Sequence, residues 1–252
     1  MVNRIVSKVV KTPTGAAGLD EILLGGIPKG RVVLVIGEPG AGKTVLATQF
    51  LVSGIETQGE SAVFISLEES KQHYFSEMMN FGWDLERFEK EKKFVFLDAS
   101  PIRSISGELK IGNTTVAKRD FSIRNLIDSI RVAVKAVDAR RIVIDSIAFL
   151  AFQCPDAAQR RNATLDLIEA LTETGATCMI STELQRTSTD RKIQQEEYLA
   201  HGVILMQCLQ SDKSLVRVIQ VVKMRETNFD RQPHPYSISE KGIKVDAKES
   251  IF

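Results

Sequence analysis

The sequence predicts an α/β fold: a mostly parallel, twisted central sheet flanked by helices, with antiparallel strands added at its C-terminal edge. The first ground is alternation. Apolar runs of strand length are separated by longer segments at helical spacing, the order of crossover connections. The second is that these runs are continuously apolar, as in strands covered on both faces. The third is a glycine-rich turn, Gly37-Glu38-Pro39-Gly40-Ala41-Gly42-Lys43-Thr44, set between the run Val32–Ile36 and a helix-forming stretch.

In chain order, strands are expected at Val32–Ile36, Ala62–Leu67, Phe94–Asp98, Arg141–Asp145, Thr177–Thr182, Gly202–Gln207 and Val216–Lys223. Helices are expected at Lys43–Thr57, Ser70–Phe81, Ser122–Asp138 and Asp156–Thr174. In the last of these, Leu165, Ile168 and Leu171 recur at three-residue spacing on one face. The last two strand runs, with the tail segments Tyr236–Ile238 and Ile243–Val245, read as antiparallel additions at the sheet edge. The polar stretches Ser100–Lys118 and Gln185–Glu197 read as mobile loops. With no internal repeat or low-complexity segment, one domain over residues 1–252 is expected, its core near 12–245 and its extensions short.

Bulk properties narrow the class. Hydrophobic residues make up 43% and charged residues 26%, the balance of a globular chain with a sizeable core. No apolar run approaches the roughly 20 residues that cross a bilayer, and Met1–Lys8 lacks the apolar centre of a signal peptide. Cys154, Cys178 and Cys208 are widely spaced and read as small buried hydrophobes in a reducing cytoplasm. A net charge of +1 gives no overall attraction to nucleic acid, so such binding would need a local patch.

The glycine-rich turn fits Gly, four residues, Gly-Lys-Thr, behind a strand and ahead of a helix, the setting in which this pattern holds nucleotide phosphates. Its glycines let successive N–H groups and the helix N-terminus turn toward an anion. The expected nucleotide contacts are Gly37, Glu38, Pro39, Gly40, Ala41, Gly42, Lys43, Thr44 and Val45. Lys43 would add a point charge at the β- and γ-phosphates of ATP, a catalytic part, and Thr44 a hydroxyl for Mg2+.

Three other strands end in polar groups. Arg141–Asp145 closes on an acid that would point into the ligand crevice and hold magnesium, with Ser146 either bonding nearby or capping the next turn. Phe64-Ile65-Ser66-Leu67-Glu68-Glu69 closes on two carboxylates. Hydrolysis needs a group that orients the attacking water and accepts its proton, and Glu68 is assigned that role with Glu69 as helper. Glu69 would otherwise simply open the helix that follows. Cys178–Glu183 ends in Thr182 and Glu183, placed to sense a γ-phosphate or to enter an ordinary polar loop.

Assembled, these motifs make the chain resemble a single KaiC-type domain of the RecA-like P-loop ATPases. The opening segment Thr14–Leu23 with Gly25–Gly30 is similar to that family's, as are Glu68-Glu69, Asp145-Ser146, Lys223-Met224-Arg225 with Thr227, and the closing strands Tyr236–Ile243. The resemblance implies rings, usually hexamers of identical subunits, with ATP between neighbours and Lys223 and Arg225 reaching the γ-phosphate of the adjacent protomer. Without it, those two charges would read as solvated edge-strand residues. The family's clock member carries two such domains and a phosphorylated Ser-Thr pair. Here Glu197-Tyr198-Leu199-Ala200-His201 stands in that place, so clock-style autophosphorylation is not expected. His201, where the family often has Asp, reads as a surface histidine without a role, ahead of the alternative, a pH-sensitive contact.

RecA-like rings also turn two loops toward a central channel. Their counterparts are Phe149–Asn162, with Arg160 and Arg161, and Gln185–Glu197, with Arg186, Arg191 and Lys192. Asp190, Glu196 and Glu197 dilute the second loop, and stacking aromatics are nearly missing from it. A ring that signals through ATP to a protein partner is therefore expected ahead of the alternative, a recombinase-related ATPase on single-stranded DNA in repair.

Overall fold

The computed structural model describes residues 9–99, 107–111, 114–119, 122–185, 191–211 and 214–250. Met1–Lys8, most of the leading part of Ser100–Lys118, and the charges Arg186 and Asp190 lie outside them. The described strands are β1 (Lys11–Thr12), β2 (Ile27–Pro28), β3 (Val32–Gly37), β4 (Ala62–Ser66), β5 (Phe94–Asp98), β6 (Gly107–Ile111) and β7 (Thr114–Arg119). They continue with β8 (Arg141–Asp145), β9 (Thr177–Glu183), β10 (Gly202–Ser211), β11 (Ser214–Met224), β12 (His234–Ser239) and β13 (Gly242–Val245).

Nine of them form one sheet in the order β13-β12-β11-β10-β3-β9-β8-β4-β5. From β10 to β5 the pairings are parallel, and from β10 through β11, β12 and β13 they are antiparallel. This is the α/β, RecA-like arrangement expected, with one correction. The run at Gly202 is not an antiparallel addition: β10 pairs parallel to β3, with Gly202 opposite Val33 and Met206 opposite Gly37. Reversal begins one strand later, where the short link after Ser211 permits only a hairpin.

The continuous apolar runs are explained by cover on both faces. Within β3, Val33 and Val35 join the cluster containing Leu46, Phe50, Tyr74 and Tyr236, while Val32, Leu34 and Ile36 join the one containing Leu126, Ile130, Leu167 and Leu171. Helix Lys43–Gln58 therefore covers one face, and helices Ile123–Val137 and Ala157–Glu173 the other. Polar residues at their starts act as caps: Ser70, Ser122 and Asp156 each accept a backbone N–H from the third residue on. Asp138 closes Ile123–Val137 in the left-handed conformation.

Two of the expected loops contain regular structure. β6 and β7 pair as a separate antiparallel ribbon that begins inside Ser100–Lys118 and ends one residue past it, at Arg119. Their sequences, GELKI and TTVAKR, lack a long apolar run, so composition does not announce them as strands. Gln185–Glu197 runs into a helix at Gln195–Leu199, started by a reciprocal box between Gln194 and Glu197. Phe149–Asn162 likewise holds a short helix, Leu150–Gln153, and the first turns of Ala157–Glu173. A further helix, Leu85–Lys90, begins at an Asp84 cap. Of the cysteines, Cys178 is buried and its thiol pushed up by burial, whereas Cys154 and Cys208 are only half-buried. No described helix is long and apolar enough to cross a membrane.

Candidate functional site

β3 delivers the phosphate loop to the C-terminal end of the parallel strands, where crevices form in open α/β sheets. Gly40 and Gly42 have φ of 77° and 86°, so the loop uses the backbone freedom that glycine alone supplies cheaply. A Cβ on Gly37 would meet the Met206 carbonyl at 2.8 Å, which fixes glycine at the loop's first position as well. Lys43 curls back over the loop, its Nζ donating to the carbonyls of Gly37 at 3.0 Å and Glu38 at 3.1 Å. Burial lowers its pKa, and Asp145, Glu183, Glu68 and Glu38 oppose that shift. The ammonium thus stands in a ring of acids and carbonyls that a polyanion would displace or bridge.

The neighbouring strand ends converge on the same place. Thr44 Oγ1 donates to Asp145 Oδ2 at 2.6 Å, and Ser181 Oγ donates to the other carboxylate oxygen. Ser146 Oγ donates to Glu68 Oε1 at 2.9 Å. Glu68 is exposed at the mouth; Glu69 is half-buried, its N–H donating to Ser66 Oγ at 2.9 Å. Burial raises the Glu69 pKa, with Glu77, Asp145 and Glu68 adding to it. Thr182 pairs with Ile36 and Glu183 with Gly37, so both flank the loop, Thr182 buried and Glu183 exposed. Lys43, Thr44, Asp145, Glu68 and Glu69, far apart in sequence, therefore share one crevice.

An all-oxygen pair, hydroxyl and carboxylate 2.6 Å apart, fits a hard divalent cation. No cluster of three His, Cys, Asp or Glu that could hold a metal occurs among the described residues. Magnesium suits such a setting, since it is commonly held by one or two carboxylates together with substrate phosphates.

Lys223 and Arg225 are not brought to this crevice. Lys223 pairs with Val203, which pairs with Leu34, and the Arg225 N–H donates to the His201 carbonyl, whose N–H donates to the Val32 carbonyl. Arg225 is thus level with Val32, five residues of β3 before Gly37, about 16 Å at the rise of a strand. It is exposed, whereas the Lys223 ammonium donates to the carbonyls of Glu197, Tyr198 and Ala200 at 2.9, 3.2 and 2.7 Å. His201 is not without a role: its Nδ1 accepts the Val32 N–H at 3.1 Å, tying β10 to β3.

The two channel loops meet around a cavity of about 320 Å³ whose lining mixes Arg160 and Lys192 with Glu183 and Glu196. Arg160 donates to the Cys154 carbonyl at 3.0 Å, and Arg191 makes a double hydrogen bond with Glu197 at 2.8 and 2.9 Å. Two of the basic groups expected to face nucleic acid are therefore occupied within the chain.

Several site residues carry no local signal. Tyr236 Oη donates to the Ala41 carbonyl at 2.5 Å, and Ile238 packs where a Cβ on Gly42 would stand, 2.6 Å from its Cδ1. Gln49 donates to the carbonyls of Gly15 and Ile243 and accepts the Ile243 N–H at 2.7 Å. These contacts join residues 34 to 196 positions apart, and only the fold reveals them.

Comparison with known proteins agrees with this geometry. The family described as "ATPase: KaiC" matches residues 12–250. The circadian clock protein KaiC3 of Synechocystis is 32% identical over 97% of this chain, which spans 47% of that protein's length. A UPF0273 protein of Pyrococcus furiosus is 33% identical over 94% of both chains. Among solved structures, a KaiC-like protein of Pyrococcus horikoshii superposes with a TM-score of 0.79 and 34% identity, covering 95% of this chain and all of that one. With its nine-stranded sheet, its phosphate loop and a family match over nearly its whole length, this chain belongs to the KaiC ATPase family.

Proposed function

We propose that this chain is a Mg2+-dependent ATPase, one ATPase domain that works in a ring with ATP held between neighbouring subunits. The observation that carries the reading is the meeting of Thr44, Asp145 and Glu68 at the loop's mouth, through the 2.6 Å Thr44–Asp145 and 2.9 Å Ser146–Glu68 hydrogen bonds. The loop from Gly37 to Thr44, with Val45, holds the triphosphate by backbone N–H groups. Lys43 exchanges its two carbonyl partners for phosphate oxygens. Thr44 and Asp145 would hold magnesium, which neutralises charge on the β- and γ-phosphates when bound. Ser146 aims Glu68, which orients a water and takes its proton as the water oxygen bonds to the γ-phosphorus. The bond from that phosphorus to the bridging oxygen breaks, and ADP leaves with the electron pair. Glu69, harder to ionise than a free carboxyl, assists at the same edge.

Arg225 stands too far along the sheet to serve its own crevice and is free to enter the adjacent one. A cation supplied in trans stabilises the charge of phosphoryl transfer and makes turnover depend on assembly. The output is a nucleotide-dependent change of shape read by a protein partner in the cytoplasm. The test is Glu68→Gln. ATP affinity should stay within about threefold while turnover falls by about 10²–10⁴, the range of a lost general base. Turnover at the wild-type rate would remove Glu68 from the mechanism.

A further inference from the structure

The short helix Leu19–Ile22 ends in a left-handed turn, and the residue that adopts it is a leucine. The Leu24 N–H donates to the Glu21 carbonyl at 3.0 Å and the Gly25 N–H to the Asp20 carbonyl at 2.6 Å. This pair of bonds closes a helix through one left-handed residue, a place where glycine is the ordinary choice. Leu24 has φ of 54°, so a bulky side chain is held there against its backbone preference. Packing does not compensate, because Leu24 is 62% exposed. The fold gains nothing from leucine at this position. An unfavourable backbone under an unburied apolar side chain points to a contact outside the chain.

The turn is rigid and sits beside Arg225. Lys11 Nζ donates to the carbonyls of Leu23 at 3.0 Å and Gly26 at 3.3 Å, and to Thr227 Oγ1 at 2.6 Å. One ammonium therefore ties the turn to the second residue after Arg225. The Asp230 N–H donates to the Ile22 carbonyl at 3.0 Å, a second tie to the same loop. A Cβ on Gly26 would stand 2.3 Å from the Thr12 carbonyl oxygen, so β1 packs directly against the turn. Leu24 is thus presented from a fixed platform at the end of the sheet that carries Arg225.

We propose that Leu24 is the apolar anchor of the contact between subunits, seated on the rim of the neighbour's nucleotide crevice beside the incoming Arg225. The occupant of this surface is a second copy of the chain, placed head to tail, and charge selects it. Lys29 and Arg225 are exposed at the Leu24 end, whereas Glu226 is paired with Arg31. The crevice end gathers Glu38, Glu68, Glu69 and Glu183 around Lys43 and Asp145. That end also offers an apolar side chain. Leu215, 70% exposed, lies on the part of β11 that runs past Met206, where the pairing of β10 with β3 stops. The inference rests on the shared-site reading above and adds to it the residue that holds the two subunits together.

The test separates assembly from folding. Assembly is read as sedimentation mass across protein concentration, with ATP and Mg2+ present. In Leu24→Asn and Leu24→Gly the concentration for half-assembly should rise about tenfold or more, the worth of one leucine buried at an interface. Leu24→Met keeps an apolar side chain of similar volume and should stay within about threefold of wild type. In dilute, nucleotide-free protein, the urea midpoint of Leu24→Asn should equal or exceed that of wild type, because asparagine accepts the left-handed backbone that leucine resists. Turnover of Leu24→Asn should be low in dilute solution and return to the wild-type kcat at saturating protein concentration. KM for ATP should then be unchanged, since the anchor touches neither phosphate nor metal.

Half-assembly of Leu24→Asn at the wild-type concentration would overturn the anchor. So would a urea midpoint well below wild type, which would make Leu24 a residue of the fold. Wild-type protein that stays a single subunit at every concentration with ATP and Mg2+ is a separate result. It would remove the shared site itself, and the proposal with it, and the wild-type chain alone reads it.

Discussion

Gly54 lies in the middle of helix Lys43–Gln58, where the sequence shows only an ordinary helical glycine. In the fold, a Cβ there would stand 2.1 Å from Nε of Arg141. That arginine is fully buried, donating to Glu60 at 2.6 Å and to the carbonyls of Pro13 and Phe50 at 2.8 and 2.7 Å. It pins the opening segment to the sheet and lies over the Phe50 ring. Gly54→Ala should therefore cost about 1–3 kcal/mol, the usual penalty of overpacking, and a denaturant midpoint equal to wild type would sink that account. His201 offers a second residue-level test. Burial lowers its pKa, and Arg31, Arg225 and Lys223 lower it further against Glu226. The neutral ring accepts the Val32 N–H, and a doubly protonated ring cannot. The unfolded state binds the proton more readily, so the stability contributed by the neutral ring is complete above a pH of about 6.5. It is lost as pH falls through the depressed value. Melting temperature should fall between pH 7.5 and 5.5 more steeply in wild type than in His201→Gln, whose amide oxygen can accept at either pH. Parallel slopes would dismiss His201 as the titrating group.

Strands β12 and β13 show what an element can hide. Each is short, β13 in particular, and in sequence they read only as an edge addition. Their placement beside the start of helix Lys43–Gln58 makes them a buttress for the phosphate loop, through Tyr236 on Ala41, Ile238 against Gly42 and Gln49 on Ile243. Tyr236→Phe leaves the Ala41 carbonyl without that donor at a buried place. It should lower stability by about 1–3 kcal/mol and weaken ATP binding several-fold, the cost of one orphaned group. Calorimetric titration checks the affinity, and unchanged binding with unchanged melting would show the buttress to be idle. The contrast with β3, β4, β8 and β9 is physical. Those strands are buried on both faces, so their composition alone announces them, and a charged or hydroxyl residue at their ends stands out at Glu68, Asp145 and Thr182. The sequences of β6 and β7 carry no continuous apolar run and left no such mark, and β10 carries the apolar composition of either orientation, so its parallel pairing was not legible. Ser181 on Asp145 and Ser146 on Glu68 follow only once the three strands β9, β8 and β4 are laid side by side.

At the scale of the whole molecule, the two ends of the sheet hold different halves of one proposed reaction centre. The phosphate loop and its carboxylates stand at the C-terminal end of β3, and Arg225 stands level with Val32 at the other. A rigid sheet cannot fold Arg225 onto its own loop across about 16 Å, so the proposed shared site would need a second subunit to present its loop there. Such a head-to-tail contact closes into a ring when its rotation allows. The motif at Lys223–Arg225 was visible in the chain, but its distance from the loop was not, because register across β10 and β11 sets it. Complementation tests the arrangement directly. Lys43→Ala protein cannot use its own loop but still offers Arg225; Arg225→Ala protein has the loop and lacks the arginine. Each alone should be nearly inactive. In equal mixture, random assembly gives one competent pairing in about four, so activity should recover to about a quarter of wild type. The mixture must first be shown to exchange subunits, by mass measurement of differently tagged chains. Recovery would require that each working site draw Lys43 from one chain and Arg225 from another. Exchanged assemblies that stay inactive would mean that each chain needs both residues itself, and the separation along β3 would then have to be closed by movement within the subunit.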